Sequence, residues 1–392
     1  MNDKEIKKII DDIVWWIPSK NLRNNIRKLL INNYIVNNKI NELLNITDNL
    51  NNEVDKNINY ANSNELNIIK NNLNILNTKI NNYIINSEKI RRINELTTYN
   101  GDYYYKKRVF KENVRLVEIG ISSFCNRKCW FCPNSIIDRN SCNIELNEDL
   151  FLKLLNELRE VNYSNYIYLH RYNEPLYNKE LLIKRIKQVR EYLPQAYIYI
   201  VTNGDYLTLD YLKILESIGV KAMGISYYYN GNDKNIPFDI ENIIKPGMQK
   251  LLNKLNLKYL VAQNTEDYYG LKIEYKDMNI EYRAYSLKKY GTDRGGILKN
   301  NVNIINRIEK CFLPNFQIVV DYDANYTLCC NIRSDDENNK NYILGNIETH
   351  SVFDIFMGEK TINFRKELLL ECPKKGACAH CSDTRLWEGL EN

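Results

Sequence analysis

The 392-residue chain has no cysteine in its first 124 positions. It has no uninterrupted run of about 18 apolar residues, the least a membrane-spanning helix needs. Its start, Met1-Asn-Asp-Lys-Glu-Ile-Lys-Lys-Ile-Ile, lacks the basic stretch, apolar core and small-residue site of a secretory signal. GxGxxG, P-loop, HExxH and nucleophile-elbow motifs are all missing, which leaves dinucleotide, nucleoside-triphosphate, zinc-protease and serine-hydrolase chemistry without support. No compact Lys/Arg block occurs and the formal net charge is only +5, so nucleic acid is not an expected partner. Together these absences predict a cytoplasmic protein. The ten cysteines, all between Cys125 and Cys381, then argue for metal rather than disulfides.

What is present is concentrated. Cys125-Asn-Arg-Lys-Cys129-Trp-Phe-Cys132 sets three thiols in CxxxCxxC spacing directly after a predicted strand. Thiolates select iron–sulfur clusters, zinc or copper(I). A four-iron cluster takes four cysteines to saturate it. Three therefore leave one iron open, and an open metal position is where chemistry takes place. Two blander readings stand beside this one: a zinc knuckle completed by Cys142, and reduced thiols packed in a core.

Along the chain, residues 1–108 read as helical. Ile6, Ile9, Ile10 and Ile13 fall at helical spacing before Trp15-Trp16-Ile-Pro18. Val36, Ile40, Leu43, Thr47, Leu50 and Val54, then Leu66, Ile69, Leu73, Leu76, Ile80 and Tyr83, alternate in steps of three and four, the seam of a coiled coil. This region can dimerise the protein or pack on its main domain. Trp15 and Trp16 beside Lys20, Arg23 and Arg27 suit either a peripheral membrane contact or burial in a helical core. Residues 109–300 alternate strand and helix. Strands are predicted at Arg115–Ile121, Tyr166–His170, Tyr197–Val201, Ala222–Tyr227, Leu257–Val261 and Ile280–Tyr285, with helices at Glu148–Val161, Lys179–Tyr192, Leu209–Ser217 and Ile240–Leu255. Alternation of this kind gives an α/β fold with a parallel sheet. Residues 301–392 form a small α+β region with strands at Phe316–Tyr322 and Tyr326–Cys330. The Asn runs and the 30 Tyr match an AT-rich coding sequence and are not read as function.

The CxxxCxxC loop, with Phe131 before its last cysteine, resembles the signature of the radical S-adenosylmethionine (SAM) superfamily. The resemblance covers roughly residues 110–385. It implies a partial (β/α)6 barrel, a 4Fe–4S cluster on Cys125, Cys129 and Cys132, and SAM chelated by the open iron. One electron from the cluster, supplied by reduced flavodoxin or ferredoxin, then splits SAM, and the resulting 5′-deoxyadenosyl radical takes a hydrogen atom from substrate. Arg171-Tyr172-Asn173-Glu174-Pro175 resembles a variant of the family's GGE motif, so Asn173 and Glu174 are implied to hold the SAM ammonium. By the same resemblance Phe131 packs on the adenine, Asn203 in Thr202-Asn203-Gly204 faces SAM or substrate, and Ser226 contacts the ribose. Arg294 in Asp293-Arg294-Gly295-Gly296, together with Arg283 and Tyr285, are substrate-pocket or catalytic candidates.

The late cysteines resemble the SPASM/twitch extension of the same superfamily. Cys311 and Cys329 flank a predicted hairpin, and Cys378-Ala-His-Cys381 is a CxxC pair. The resemblance implies one auxiliary 4Fe–4S cluster on Cys311, Cys329, Cys378 and Cys381, with Cys330 or Cys372 as alternates; zinc is the rival occupant. Such a cluster would accept an electron from the substrate radical. The expected substrate is a small molecule, a sugar or cyclitol, oxidised in bacterial glycan or secondary metabolism. Residues 15–27 also resemble a segment of surface-glycan biosynthesis proteins. Peptide maturation is the alternative enzyme reading, and a non-catalytic iron–sulfur or zinc protein with an assembling coiled coil is the rival from another class.

Overall fold

The computed structural model describes residues 88–298 and 306–383. The coiled-coil seam, the Trp15-Trp16 segment and the homodimer and membrane contacts expected of them lie outside the described residues. Described residues 92–298 and 306–383 belong to one compact unit.

Helix α1 (Tyr103–Asn113) leads into strand β1 (Leu116–Ile119). There follow α2 (Glu148–Glu160), β2 (Tyr166–Tyr168), α3 (Lys179–Tyr192), β3 (Tyr197–Thr202), α4 (Leu209–Ser217), β4 (Ala222–Ser226) and α5 (Lys245–Leu255). Local chemistry sets these boundaries. The side chains of Asn147, Asn178 and Thr208 accept first-turn N–H groups at the starts of α2, α3 and α4, satisfying donors that have no partner inside the helix. Helix α2 buries Phe151, Leu154, Leu155 and Leu158 along one stripe. Strands β1 to β4 pair in parallel, in sequence order. All five residues of β4 are buried, as expected of a strand covered on both faces.

The fifth repeat departs from expectation. The strand predicted at Leu257–Val261 is β5 (Leu260–Thr265), exposed along its whole length at the sheet edge. It turns through Glu266-Asp267 into β6 (Tyr268–Tyr275), missed by the sequence reading, and then into β7 (Met278–Tyr285), all antiparallel. Connections this short permit only antiparallel pairing; a parallel repeat needs a crossover of a dozen residues or more. Strand β7 nevertheless lies parallel to β4. The expected Ile240–Leu255 helix begins with a wider turn at Ile240–Ile244, capped by Asp239, before α5.

At the opposite edge, β8 (Gln317–Val320) pairs in parallel with β1. Strands β9 (Asn325–Thr327) and β10 (Ile343–Asn346) continue the sheet antiparallel. One ten-stranded sheet, ordered β10-β9-β8-β1-β2-β3-β4-β7-β6-β5, thus runs from the first cysteine loop to the late cysteines. Strand β9 stops short of the predicted Tyr326–Cys330, so Cys329 and Cys330 stand in the turn beyond it. Helices α6 (Val352–Phe356) and α7 (Glu359–Leu368) follow. Phe110 of α1 packs edge-on against Phe353 and Phe356 of α6, ring centroids 5.0 and 5.2 Å away. The C-terminal ends of β1, β2, β3, β4 and β7 all point one way, and ligands of parallel sheets gather at that end.

Candidate functional site

The segment after β1 is bent into a loop by its own backbone. Cys125 N–H donates to Arg139 O at 3.2 Å and Cys132 N–H to Cys129 O at 2.9 Å. Pro133 then starts a tight turn at Pro133–Ser135. Trp130 N–H donates to Gly231 O at 3.0 Å, drawing in the loop after β4. A Cβ at Gly231 would stand 3.0 Å from the Cys129 sulfur, so a side chain there would press on that thiol. Arg127 and Asn126 both donate to Asp205, at 2.7 and 2.8 Å, pinning the loop to the turn after β3.

Cys125, Cys129 and Cys132 line one cavity of about 550 Å³. Its walls also carry Phe131, Asn173, Glu174, Asn203, Ser226, Arg283, Tyr285 and Arg294, the whole set of residues singled out from the sequence around the first motif. Among the described residues, no three His, Cys, Asp or Glu side chains converge as a single-ion site requires. Cys142 is exposed and does not line the cavity. Burial pushes the Cys125 thiol up to about 11. Burial and the neighbouring Cys132 push Cys129 up to about 12. Thiols raised in this way ionise when a cation compensates them. Three thiols and a carboxylate lining one cavity suit a cluster, larger than a single ion, with one open iron.

Glu174 is 3% exposed. Its carboxylate accepts from Thr202 Oγ1 at 2.5 Å, Asn203 N–H at 2.8 Å and Leu176 N–H at 3.0 Å. Burial raises its pKa to about 7 against those three donors. The turn that supplies two of them needs Gly204 at φ +81°, where other residues are strained. Asn173 accepts from Arg171 N–H at 2.8 Å and so shapes its own loop. Phe131 packs on Tyr228, ring centroids 5.1 Å apart.

Sequence reasoning missed several cavity residues: Tyr168 and His170 at the end of β2, Tyr199 on β3, and Arg171 and Glu118 beside them. Their signal was alternation. Tyr168 and His170 are two apart, as are Tyr199 and Val201, and residues two apart share a strand face. The abundance of Tyr hid it. Arg171 and Arg139 both donate to Asp321, a carboxylate with no solvent exposure. Burial opposes its ionisation, yet the two arginines hold it below the usual carboxylate range.

The second cysteine group is built differently. Cys311, Cys329, Cys378 and Cys381 surround a pocket of only about 20 Å³, lined by Leu313, Leu328, Ile332, Leu368 and Ala377 among others. Arg307 donates to Lys310 O at 2.8 Å and to Cys381 O at 3.3 Å, tying the chain before Cys311 to the CxxC. Burial pushes Cys378 up to about 12 and Cys381 up to about 11. Of the two alternates, Cys330 lines the first cavity instead, and Cys372 is exposed. Asn331 connects the two places: its Oδ1 accepts from Arg294 at 3.1 Å and its Nδ2 approaches the Cys381 sulfur at 3.9 Å.

Comparison with known proteins agrees with this division. Residues 119–236 match the radical SAM superfamily model, and residues 311–382 match an iron–sulfur cluster-binding domain model, SPASM. The chain is 26% identical over 269 residues to the S-adenosyl-L-methionine-dependent 2-deoxy-scyllo-inosamine dehydrogenase of Niallia circulans, covering 68% of this chain and 92% of that one. In structure it resembles BtrN in complex with AdoMet and 2-DOIA, with a TM-score of 0.50 and 24% identity over 70% of this chain and 96% of that one. A SAM-bound anSMEcpe structure is more distant, with a TM-score of 0.39 and 15% identity over 64% of this chain and 83% of that one. The chain is a radical SAM enzyme, dependent on SAM and iron–sulfur chemistry, with a C-terminal SPASM-type cluster-binding domain.

Proposed function

We propose that the chain dehydrogenates a small polyol, a sugar or cyclitol, in the cavity beyond β1–β4 and β7. The observation that carries this reading is that three thiols, a buried carboxylate and a polar wall share one cavity of about 550 Å³. That is a size suited to small ligands. The relative in Niallia circulans, a dehydrogenase of a cyclitol amine by its name, supports the choice of a ring substrate.

In this reading Cys125, Cys129 and Cys132 hold a 4Fe–4S cluster. When bound, cluster and SAM together supply a 5′-deoxyadenosyl radical that removes a substrate hydrogen atom. Glu174 accepts the methionine ammonium in a charge-assisted bond. That contact restores its ionised form against burial. Asn173 and Asn203 hold the loops on either side of Glu174, Phe131 offers an apolar face to the adenine, and Ser226 contacts the ribose. Arg294, Arg283 and Tyr285 face the substrate. Cys311, Cys329, Cys378 and Cys381 would hold one auxiliary 4Fe–4S cluster, which would supply an acceptor for the second electron of the oxidation. The barrel is a partial one, spanning residues 109–300 and completed by the 301–392 region. Flavodoxin or ferredoxin supplies the first electron.

The test is anaerobic reconstitution followed by SAM and dithionite. Formation of 5′-deoxyadenosine, with about eight irons per chain and a product two mass units lighter than the polyol, is expected. Two zinc ions and intact SAM would sink the proposal.

A further inference from the structure

Part of the cavity wall is formed by His170, by Tyr199 of β3, by Arg283 of β7, and by Arg294 from the loop after β7. The two guanidiniums are donors only, and the Tyr199 hydroxyl can both donate and accept. His170 Nδ1 accepts the Val201 N–H at 3.1 Å, so in the neutral ring the proton sits on Nε2. Burial keeps the ring neutral, with a pKa lowered to about 3. Arg283 stands near the Tyr199 hydroxyl and is paired with Glu281. The Tyr199 hydroxyl occupies the space where a side chain on Gly224 would begin, so β4 yields room for it. Arg294 donates to Asn331 Oδ1 at 3.1 Å, an uncharged partner, and has no carboxylate partner among the described residues.

The carboxylates of the same cavity are committed. The cavity's two carboxylates are Glu118 and Glu174. Glu118 accepts from Gln317 Nε2 at 3.0 Å and pairs with Arg171. Glu174 takes three donors from its own chain and, in the reading above, is the carboxylate taken up by the SAM ammonium. A substrate ammonium here would face Arg294 without an anion to pair with, in a low-dielectric site where like charges repel strongly.

We infer that the substrate turns oxygen groups, hydroxyl or anionic, toward His170 and Arg294, and that the enzyme selects an oxygen-only polyol over the amino-cyclitol named for its Niallia circulans relative. This rests on the polyol reading above. His170 Nε2–H is the group that reads a substrate oxygen, and Arg294 is the group that excludes an ammonium.

The experiment offers the reconstituted full chain two rings that differ at one atom: 2-deoxy-scyllo-inosamine, and the same ring with hydroxyl in place of the amine. SAM and dithionite are supplied, and both 5′-deoxyadenosine and ring oxidation are followed. The hydroxyl ring is expected to have a kcat/KM about tenfold higher or more, the size of a buried polar group left unpaired. Preference for the amine by that margin overturns the inference and leaves the dehydrogenase reading intact. Oxidation of neither ring, with 5′-deoxyadenosine still formed, overturns both the cyclitol reading and this inference. His170→Leu should raise KM for the hydroxyl ring about tenfold. His170→Gln, which keeps a donor, should restore most of it, a rescue that a merely structural role would not give. Equal KM values in His170→Leu and the parent chain would remove His170 from substrate recognition.

Discussion

Two groups of cysteines in one sheet meet opposite surroundings. The first three stand around a cavity of about 550 Å³, with Glu174, Arg294 and several tyrosines in its walls. The other four close on about 20 Å³ among Leu313, Leu328, Ile332 and Leu368. Residue type is the same in both places; room and polarity differ. An open, polar surround admits a second ligand to the metal, and a tight apolar one excludes it, which is the distinction between reacting and electron-holding sites. The fold brings the two close through Asn331, which bonds Arg294 on one side and approaches Cys381 on the other.

The sharpest way to break this comparison is to remove one thiol from each group. Cys129→Ala should abolish 5′-deoxyadenosine formation entirely and lower the iron content from about eight to about four per chain. Cys378→Ala should lower iron by the same amount yet leave SAM cleavage in place, with oxidised product lost. Iron analysis and chromatography of 5′-deoxyadenosine read both. If Cys378→Ala stopped SAM cleavage as fully as Cys129→Ala, the two groups would not be functionally distinct.

How much of this contrast was legible in the chain depends on distance along it. Cys125, Cys129 and Cys132 lie within eight residues after one strand, so a single loop had to gather them. Cys311, Cys329, Cys378 and Cys381 were paired by spacing and resemblance, and the sheet brings them together because β8 and β9 run antiparallel between the first two. Adjacent residues were harder. Nothing in Leu328-Cys329-Cys330 says which sulfur turns which way; the turn after β9 decides it, with the Tyr172 hydroxyl holding Cys330 O at 3.0 Å. The edge strand β5 was misread because Leu260 and Val261 are apolar yet exposed. His170 went unnoticed because its acceptor role depends on Val201, 31 residues away.

A smaller effect tests the polarity of the first cavity. Glu174 is raised to about 7 mainly by burial. Its carboxylate is ionised above that pH and protonated below it, so affinity for a SAM ammonium should rise with pH between 6 and 8, by up to about tenfold per unit below the pKa. Glu174→Gln should bind SAM weakly and without this slope, as equilibrium dialysis against labelled SAM would show. Stability runs the other way. A carboxyl whose folded pKa lies above its unfolded value holds a proton that the unfolded chain has released, so the cofactor-free protein loses stability as pH rises from about 4.5 to 7. Glu174→Gln should therefore lose less stability than the parent between pH 5 and pH 8, a difference on the order of 1–3 kcal/mol read from denaturant unfolding at both pH values. A parent chain whose SAM affinity is flat across this range would mean that Glu174 does not meet the ammonium.

The finest test separates two neighbours. Cys329 belongs to the tight pocket and Cys330 to the open cavity, although one peptide bond joins them. Truncating Cys329 to Ala removes a sulfur from among Leu313, Leu328 and Ile332 and should cost about four irons. Truncating Cys330 to Ala leaves its backbone carbonyl, and so the bond from Tyr172, in place. Iron content and the low-temperature electron paramagnetic resonance of the reduced Cys330→Ala protein should therefore match the parent. Loss of iron from Cys330→Ala would make Cys330 a ligand and move the boundary between the two groups by one residue, leaving the open cavity with one wall fewer and the closed pocket less closed than its volume says.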